Sequence, residues 1–170
     1  RSISEAFTIA VQGASTGLEL GGSFVKSTTE TTSAATGIDG GGGKDSVQNW
    51  GKVDVSADAL TNNLTATVDV QGSVKGVGVG VAFTNTSSTS DAFAFGLLGG
   101  DDDDLLWNTT TGEVDAYSHA QSYAESFAVT VQASSTGVEL GGALAKGSTD
   151  AKATATGMDG GSGKDNIRND

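Results

Sequence analysis

Apolar residues along this chain alternate with small or polar ones in short runs. Phe7-Thr8-Ile9-Ala10-Val11-Gln12 has this form, as do Leu64-Thr65-Ala66-Thr67-Val68-Asp69-Val70 and Val77-Gly78-Val79-Gly80-Val81-Ala82-Phe83. A period of two predicts strands with one face turned to the core. Glycine-containing turns separate the runs at Gly13 to Gly17, Gly72 to Gly76 and Ser134 to Gly137. Ser/Thr-rich stretches such as Ser27 to Ser33 and Thr84 to Ser90 read as solvated strands or loops, and no helical period stands out. The alternation predicts that Phe7, Ile9, Val11, Val68, Val70, Phe127, Val129 and Val131 point inward.

The runs recur. Residues 2–49 align without a gap on 122–169, with 24 of 48 positions identical, including Glu19-Leu20-Gly21-Gly22 with Glu139-Leu140-Gly141-Gly142. A weaker copy lies between them: Gly37-Ile38-Asp39-Gly40-Gly41 returns as Gly96-Leu97-Leu98-Gly99-Gly100 and as Gly157-Met158-Asp159-Gly160-Gly161. The offsets, 59 and 61 residues, define units at 1–49, 50–108 and 109–170, the middle one of a second type. Repetition at this length points to a repeat architecture. The expected fold is all-β, a β-solenoid or β-roll-like stack of units, with tandem antiparallel β-sandwiches as the alternative. Trp50 and Trp107 follow the glycine turns, one per unit, at non-matching positions.

Composition narrows the function. Hydrophobic residues make up 36% and aromatics 6%, which favours a thin repetitive core over a thick one. A formal net charge of −12 disfavours nucleic acid and anionic membranes and favours cations. The chain has no Cys, which excludes a disulfide scaffold and is compatible with export. No apolar run reaches the ~20 residues that span a bilayer. The chain opens inside repeat sequence, at Arg1-Ser2-Ile3, with no signal peptide in view, so both ends read as cuts through a longer or processed protein.

One motif carries candidate chemistry. Gly40-Gly41-Gly42-Gly43-Lys44-Asp45-Ser46-Val47-Gln48 and Gly160-Gly161-Ser162-Gly163-Lys164-Asp165-Asn166-Ile167-Arg168 fit the pattern G-G-x-G-x-D-x-U-x, with U a large apolar residue. This resembles the calcium-binding nonapeptide of RTX proteins. The resemblance implies that calcium is held between stacked turns by Asp45 and Asp165, with carbonyls of Gly40 to Gly43 and Gly160 to Gly163, notably Gly41, Gly43, Gly161 and Gly163. Asp39 and Asp159 are added candidates. In the middle copy, Gly99 to Trp107, an aspartate stands at the third glycine position, and Asp102 and Asp104 would take the part. RTX nonapeptides run in tandem, whereas this chain has one per unit; plain solvated Gly/Asp corners are the alternative.

Other residues add less. The run Asp101 to Asp104 is either a cation site or a solvated loop. His119 is the only histidine, so no histidine-based triad exists beyond it, and the expectation is a non-enzyme. Asn63, Asn85 and Asn108 head N-x-[ST] sequons. The leading expectation is a structural, self-associating component of an extracellular fibre or cell-surface filament. Its partners would be further copies or continuing repeats of the same chain, joined through uncapped strand edges. A ligand- or ice-binding adhesin segment, suggested by Thr65-Ala66-Thr67 and Thr154-Ala155-Thr156, and a calcium-dependent export segment are the alternatives.

Overall fold

A computed structural model describes the backbone of residues 1–170 and every side chain except that of Ala14. It is all-β: 87% of residues lie in strands and, among the described residues, none is helical. Among the described residues no helix is long and apolar enough to cross a membrane, which says nothing of spanning by strands. In chain order the elements are β1 (Ser2–Asp39), β2 (Ser46–Asn49), β3 (Lys52–Asp101), β4 (Leu105–Asn108), β5 (Glu113–Ser134), β6 (Val138–Ser162) and β7 (Asn166–Asn169).

Pairing follows the repeat. β1 pairs with β3 in parallel, Phe7 opposite Ala66 and Leu20 opposite Val79, at an offset of 59 residues. β3 pairs on its other edge with β5 and β6 at an offset of 61, Val70 opposite Val131 and Val79 opposite Leu140. A second parallel sheet runs β2-β4-β7, with Val47, Leu106 and Ile167 in one row. Backbone bonds thus join equivalent residues of neighbouring copies, about 4.8 Å apart as in any sheet.

Within a copy the chain runs out, turns near Gly76 and comes back. The outgoing arm (52–73) and the return arm (77–101) meet through side chains. Thr61 Oγ1 donates to Thr89 O (2.9 Å), Asn63 Nδ2 to Ser87 O (2.8 Å) and Gln71 Nε2 to Val79 O (3.3 Å). Ala57 and Ala59 pack against Ala92 and Ala94 near the base of the arms. Val47, Leu97 and Leu106 form a second small core beside the short strands.

The inward face is therefore not the one the alternation suggested. Thr61, Asn63, Thr65, Thr67, Asp69 and Gln71 are fully buried, whereas Phe7 is 66% exposed and Val11 73%. Ile9, Phe127 and Val131 are also exposed, and Val68, Val70 and Val129 are half-buried. The gap between the arms explains the inversion. Side chains of both arms share it, and it is filled mostly by Ala, Ser and Thr, with Val55, Asn63, Asp69 and Gln71 the larger occupants. Gln71 takes the space in front of Gly80, and Gln132 that in front of Gly141. Phe or Ile there would force the arms apart. Thr61, Asn63, Gln71, Thr84, Thr86 and Ser90 donate to backbone carbonyls, which offsets part of their desolvation, whereas the Thr65 and Thr67 hydroxyls are buried with no partner.

The apolar residues lie on two outer flanks, with Phe24 and Phe83 stacked at 5.0 Å and 2° between ring planes. Contiguous exposed apolar surface of this kind associates readily. Ile9→Ser is expected to change stability by no more than about 0.5 kcal/mol, as at other exposed sites. It should lower binding of a hydrophobic dye. A loss of several kcal/mol in chemical denaturation would place Ile9 in the core instead.

Candidate functional site

The glycine–aspartate turns of the three copies lie side by side. Gly41, Gly100 and Gly161 have φ of 91°, 110° and 84°, a conformation that favours glycine. Two residues on, Gly43 and Gly163 have φ of 106° and 146°, and Asp102 stands between them at 75°. Asp102 thus adopts the left-handed backbone its glycine neighbours use, which asparagine and aspartate tolerate better than other side chains.

After the turn comes an aspartate column. Asp45 N donates to Asp104 Oδ1 (2.8 Å), and Asp104 N donates to Asp165 Oδ1 (3.0 Å). Asp104 is buried, and the second oxygens of Asp45 and Asp104 are buried with no hydrogen-bond partner. Each carboxylate occupies room left by a glycine five residues earlier. A methyl group on Gly99 would stand 2.7 Å from Asp104 Oδ2 and 2.5 Å from Gly160 O; on Gly40 it would meet Asp45 Oδ2 at 3.3 Å and Gly99 O at 2.5 Å. Carboxylate and carbonyl oxygens therefore converge on the same small spaces, and these are the hard donors that calcium takes at about 2.3–2.6 Å. Leu106 closes one side of the Gly99 space, at 3.0 Å.

The remaining candidates are engaged elsewhere. Asp39 Oδ1 accepts from Gly41 N and Asp159 Oδ1 from Gly161 N, both at 3.0 Å, which closes the turns from outside. Gly41 O accepts from Asp101 N (3.0 Å). Asp102 is exposed and apart from the column. Asp103 lies between two copies, its Oδ2 accepting from Lys44 Nζ (2.9 Å) and its Oδ1 from Lys164 N (3.1 Å). The bond from Lys44 holds the Asp103 carboxyl below its ordinary range. The four-aspartate run thus divides into a buried member and solvated ones. Among the described residues, no three His, Cys, Asp or Glu side chains gather as a metal cage.

Two features escaped the sequence reading. Asn49, Asn108 and Asn169 form a ladder: Asn49 Nδ2 donates to Asn108 Oδ1 (2.9 Å), and Asn108 Nδ2 to Asn169 Oδ1 (2.8 Å). The signal was present as one asparagine at the same repeat position in all three copies. The other feature is Asp69, fully buried between the arms with one oxygen unpartnered, whose carboxyl burial pushes up. Nothing in its copies, Ala10 and Thr130, announced it. The three sequons differ in access. Asn63 and Asn108 are buried with Nδ2 engaged, so neither has room for a glycan in this fold, and Asn85 remains half-exposed. His119 is exposed, with Nδ1 3.8 Å from Asp58 Oδ1.

No family model, no curated protein and no solved structure matches the chain.

Proposed function

We propose that this chain is structural: a β-solenoid of stacked ~60-residue units that forms an extracellular fibre or cell-surface filament, stabilised by calcium in RTX-like turns. The observation that carries the reading is the identity of the two spacings. The offsets at which the sequence repeats, 59 and 61, are the offsets at which the backbone pairs. A unit of this kind cannot satisfy its own backbone and does so through its neighbours. β3 is paired along both edges, whereas β1, β5 and β6 are each paired along one, so further units extend the object in one direction. The inward burial of Thr65 and Thr67 weighs against an ice-ordering threonine face. The reading assigns no catalytic residue.

Extension of the chain tests the architecture. Residues 50–169 appended in tandem should lengthen the particle by about 10 Å per added block, two strand spacings, at constant cross-section. Electron microscopy or small-angle scattering measures this. Beads joined by linkers would overturn the solenoid in favour of separate sandwiches.

Calcium is the second part of the proposal. Three carboxylates in one column repel one another, and a cation among their free oxygens and the glycine carbonyls removes that penalty. Extracellular modules bind calcium at about 10⁻⁴–10⁻³ M. A metal held only by the folded form, at a hundredfold excess over Kd, stabilises it by ~2.7 kcal/mol. Thermal melts should therefore rise in calcium and fall back in chelator, and Asp104→Ala should abolish most of the difference. A melt indifferent to calcium in the unmodified chain removes the ion and leaves the stacked units untouched.

A further inference from the structure

The two unit types alternate for a reason visible in the columns of paired residues. In-register parallel pairing sets equivalent side chains about 4.8 Å apart, where like charges destabilise. The first and third copies carry the same charge at several positions, and the second copy interrupts nearly all of them. Glu5 and Glu125 flank Leu64, and Lys26 and Lys146 flank Asn85. Glu19 and Glu139 flank Gly78, and Glu139 fills the space a side chain there would need; its Oε2 lies 2.6 Å from where a Gly78 methyl would stand, and its Oε1 accepts from Ser73 Oγ (2.6 Å). Lys44 and Lys164 flank Asp103, which bonds to both copies. The exceptions are the Asp45–Asp104–Asp165 column and Asp54 opposite Asp115, where Lys52 Nζ lies 2.9 Å from Asp115 Oδ2.

The third copy exposes the same face at its free edge. A cavity of about 520 Å³ opens there beside Val114, Gly157, Met158 and Asn169. The equivalent glycines show what fills it: a methyl on Gly37 or Gly96 would collide with Val53 or Val114, each from the following unit, whereas Gly157 has open space.

We propose that the edge formed by β5, β6 and β7 is a docking surface for a unit of the second type, with the chemistry of residues 50–108, and that it rejects a unit of the first type. Such a partner seats a valine in the cavity and continues the asparagine ladder. It also sets glycine against Glu139 and aspartate against Lys164. A first-type unit would set Glu against Glu139 and Lys against Lys164. The inference rests on the stacked-unit reading proposed above.

Two extended chains test it. One carries residues 50–108 after Asn169, the other residues 109–170. Limited proteolysis and hydrogen exchange read whether the added unit docks. The expected result is protection of the added 50–108 unit, with loss of fast exchange along β5 and β6, and continued cleavage of the added 109–170 unit. Equal protection of both would overturn the proposal and leave the stacked-unit reading standing. Protection of neither would overturn both. In the 109–170 extension, Glu→Gly and Lys→Asp changes at the added positions equivalent to Glu139 and Lys164 should restore protection; failure to do so would overturn the charge rule.

Discussion

Gly100→Ala is expected to destabilise the protein by about 3–5 kcal/mol, and Gly41→Ala by only about 1–2. The two glycines hold equivalent places in paired turns, with φ of 110° and 91°. A side chain costs about 1–2 kcal/mol in this left-handed region at either place. The difference lies in what the new methyl would meet. At Gly41 nothing stands within 4 Å. At Gly100 the methyl would collide with the carbonyl oxygen of Gly41, which accepts the Asp101 N–H that holds the two turns together. Backbone on backbone cannot give way as a flexible side chain would, so the turns must separate and that bond is lost. Chemical denaturation of the two variants measures the gap. Equal losses would mean that the turns do not lie against one another, and would undermine every column described above.

Asn108→Ala should cost about 2–4 kcal/mol, and Asn169→Ala less than about 1. Asn108 sits in the middle of the ladder and is buried. It accepts from Asn49 and donates to Asn169, and it donates to Gly112 O (3.2 Å) where the chain crosses from the second copy to the third. Truncation deletes three bonds and leaves buried groups unpaired. Asn169 is exposed and receives one of these bonds. Asn108→Asp is the sharper experiment, because it keeps shape and removes the donors. The introduced carboxylate would face two other oxygens, Gly112 O and Asn169 Oδ1, at a position that is largely buried. Its folded pKa must then lie above the ordinary ~3.9, so the penalty is present above the folded pKa and fades as pH falls toward the unfolded one. Measured against the unmodified chain at each pH, the deficit should shrink on acidification. A deficit that stays constant between neutral and acidic pH would place Asn108 outside the ladder.

The sequence alone determined the class of structure and its spacing. Period-two runs such as 7–12 and 64–70 specify strands because successive side chains point to opposite faces. The recurrence of Glu19-Leu20-Gly21-Gly22 and of the Gly-Gly-x-Gly-x-Asp turn located equivalent residues, and the pairing respects those equivalences residue by residue. The reading of Asp102 as a substitute for a turn glycine followed from the same alignment, and its φ of 75° agrees. Only the tertiary structure decided which face is inside. Alternation divides residues into two sets and is silent on which set is buried. Here the narrow gap between the arms selected Thr65, Thr67 and Gln71 over Phe7, Ile9 and Val11, against the usual preference for burying apolar groups. The tertiary structure likewise divided the acidic residues. Asp45, Asp104 and Asp165 became a column because strands β2, β4 and β7 begin immediately after them, and Asp39 and Asp159 went to capping turns. Such assignments depend on contacts between residues about 60 positions apart, and no local pattern encodes the distance at which two arms of a chain will meet.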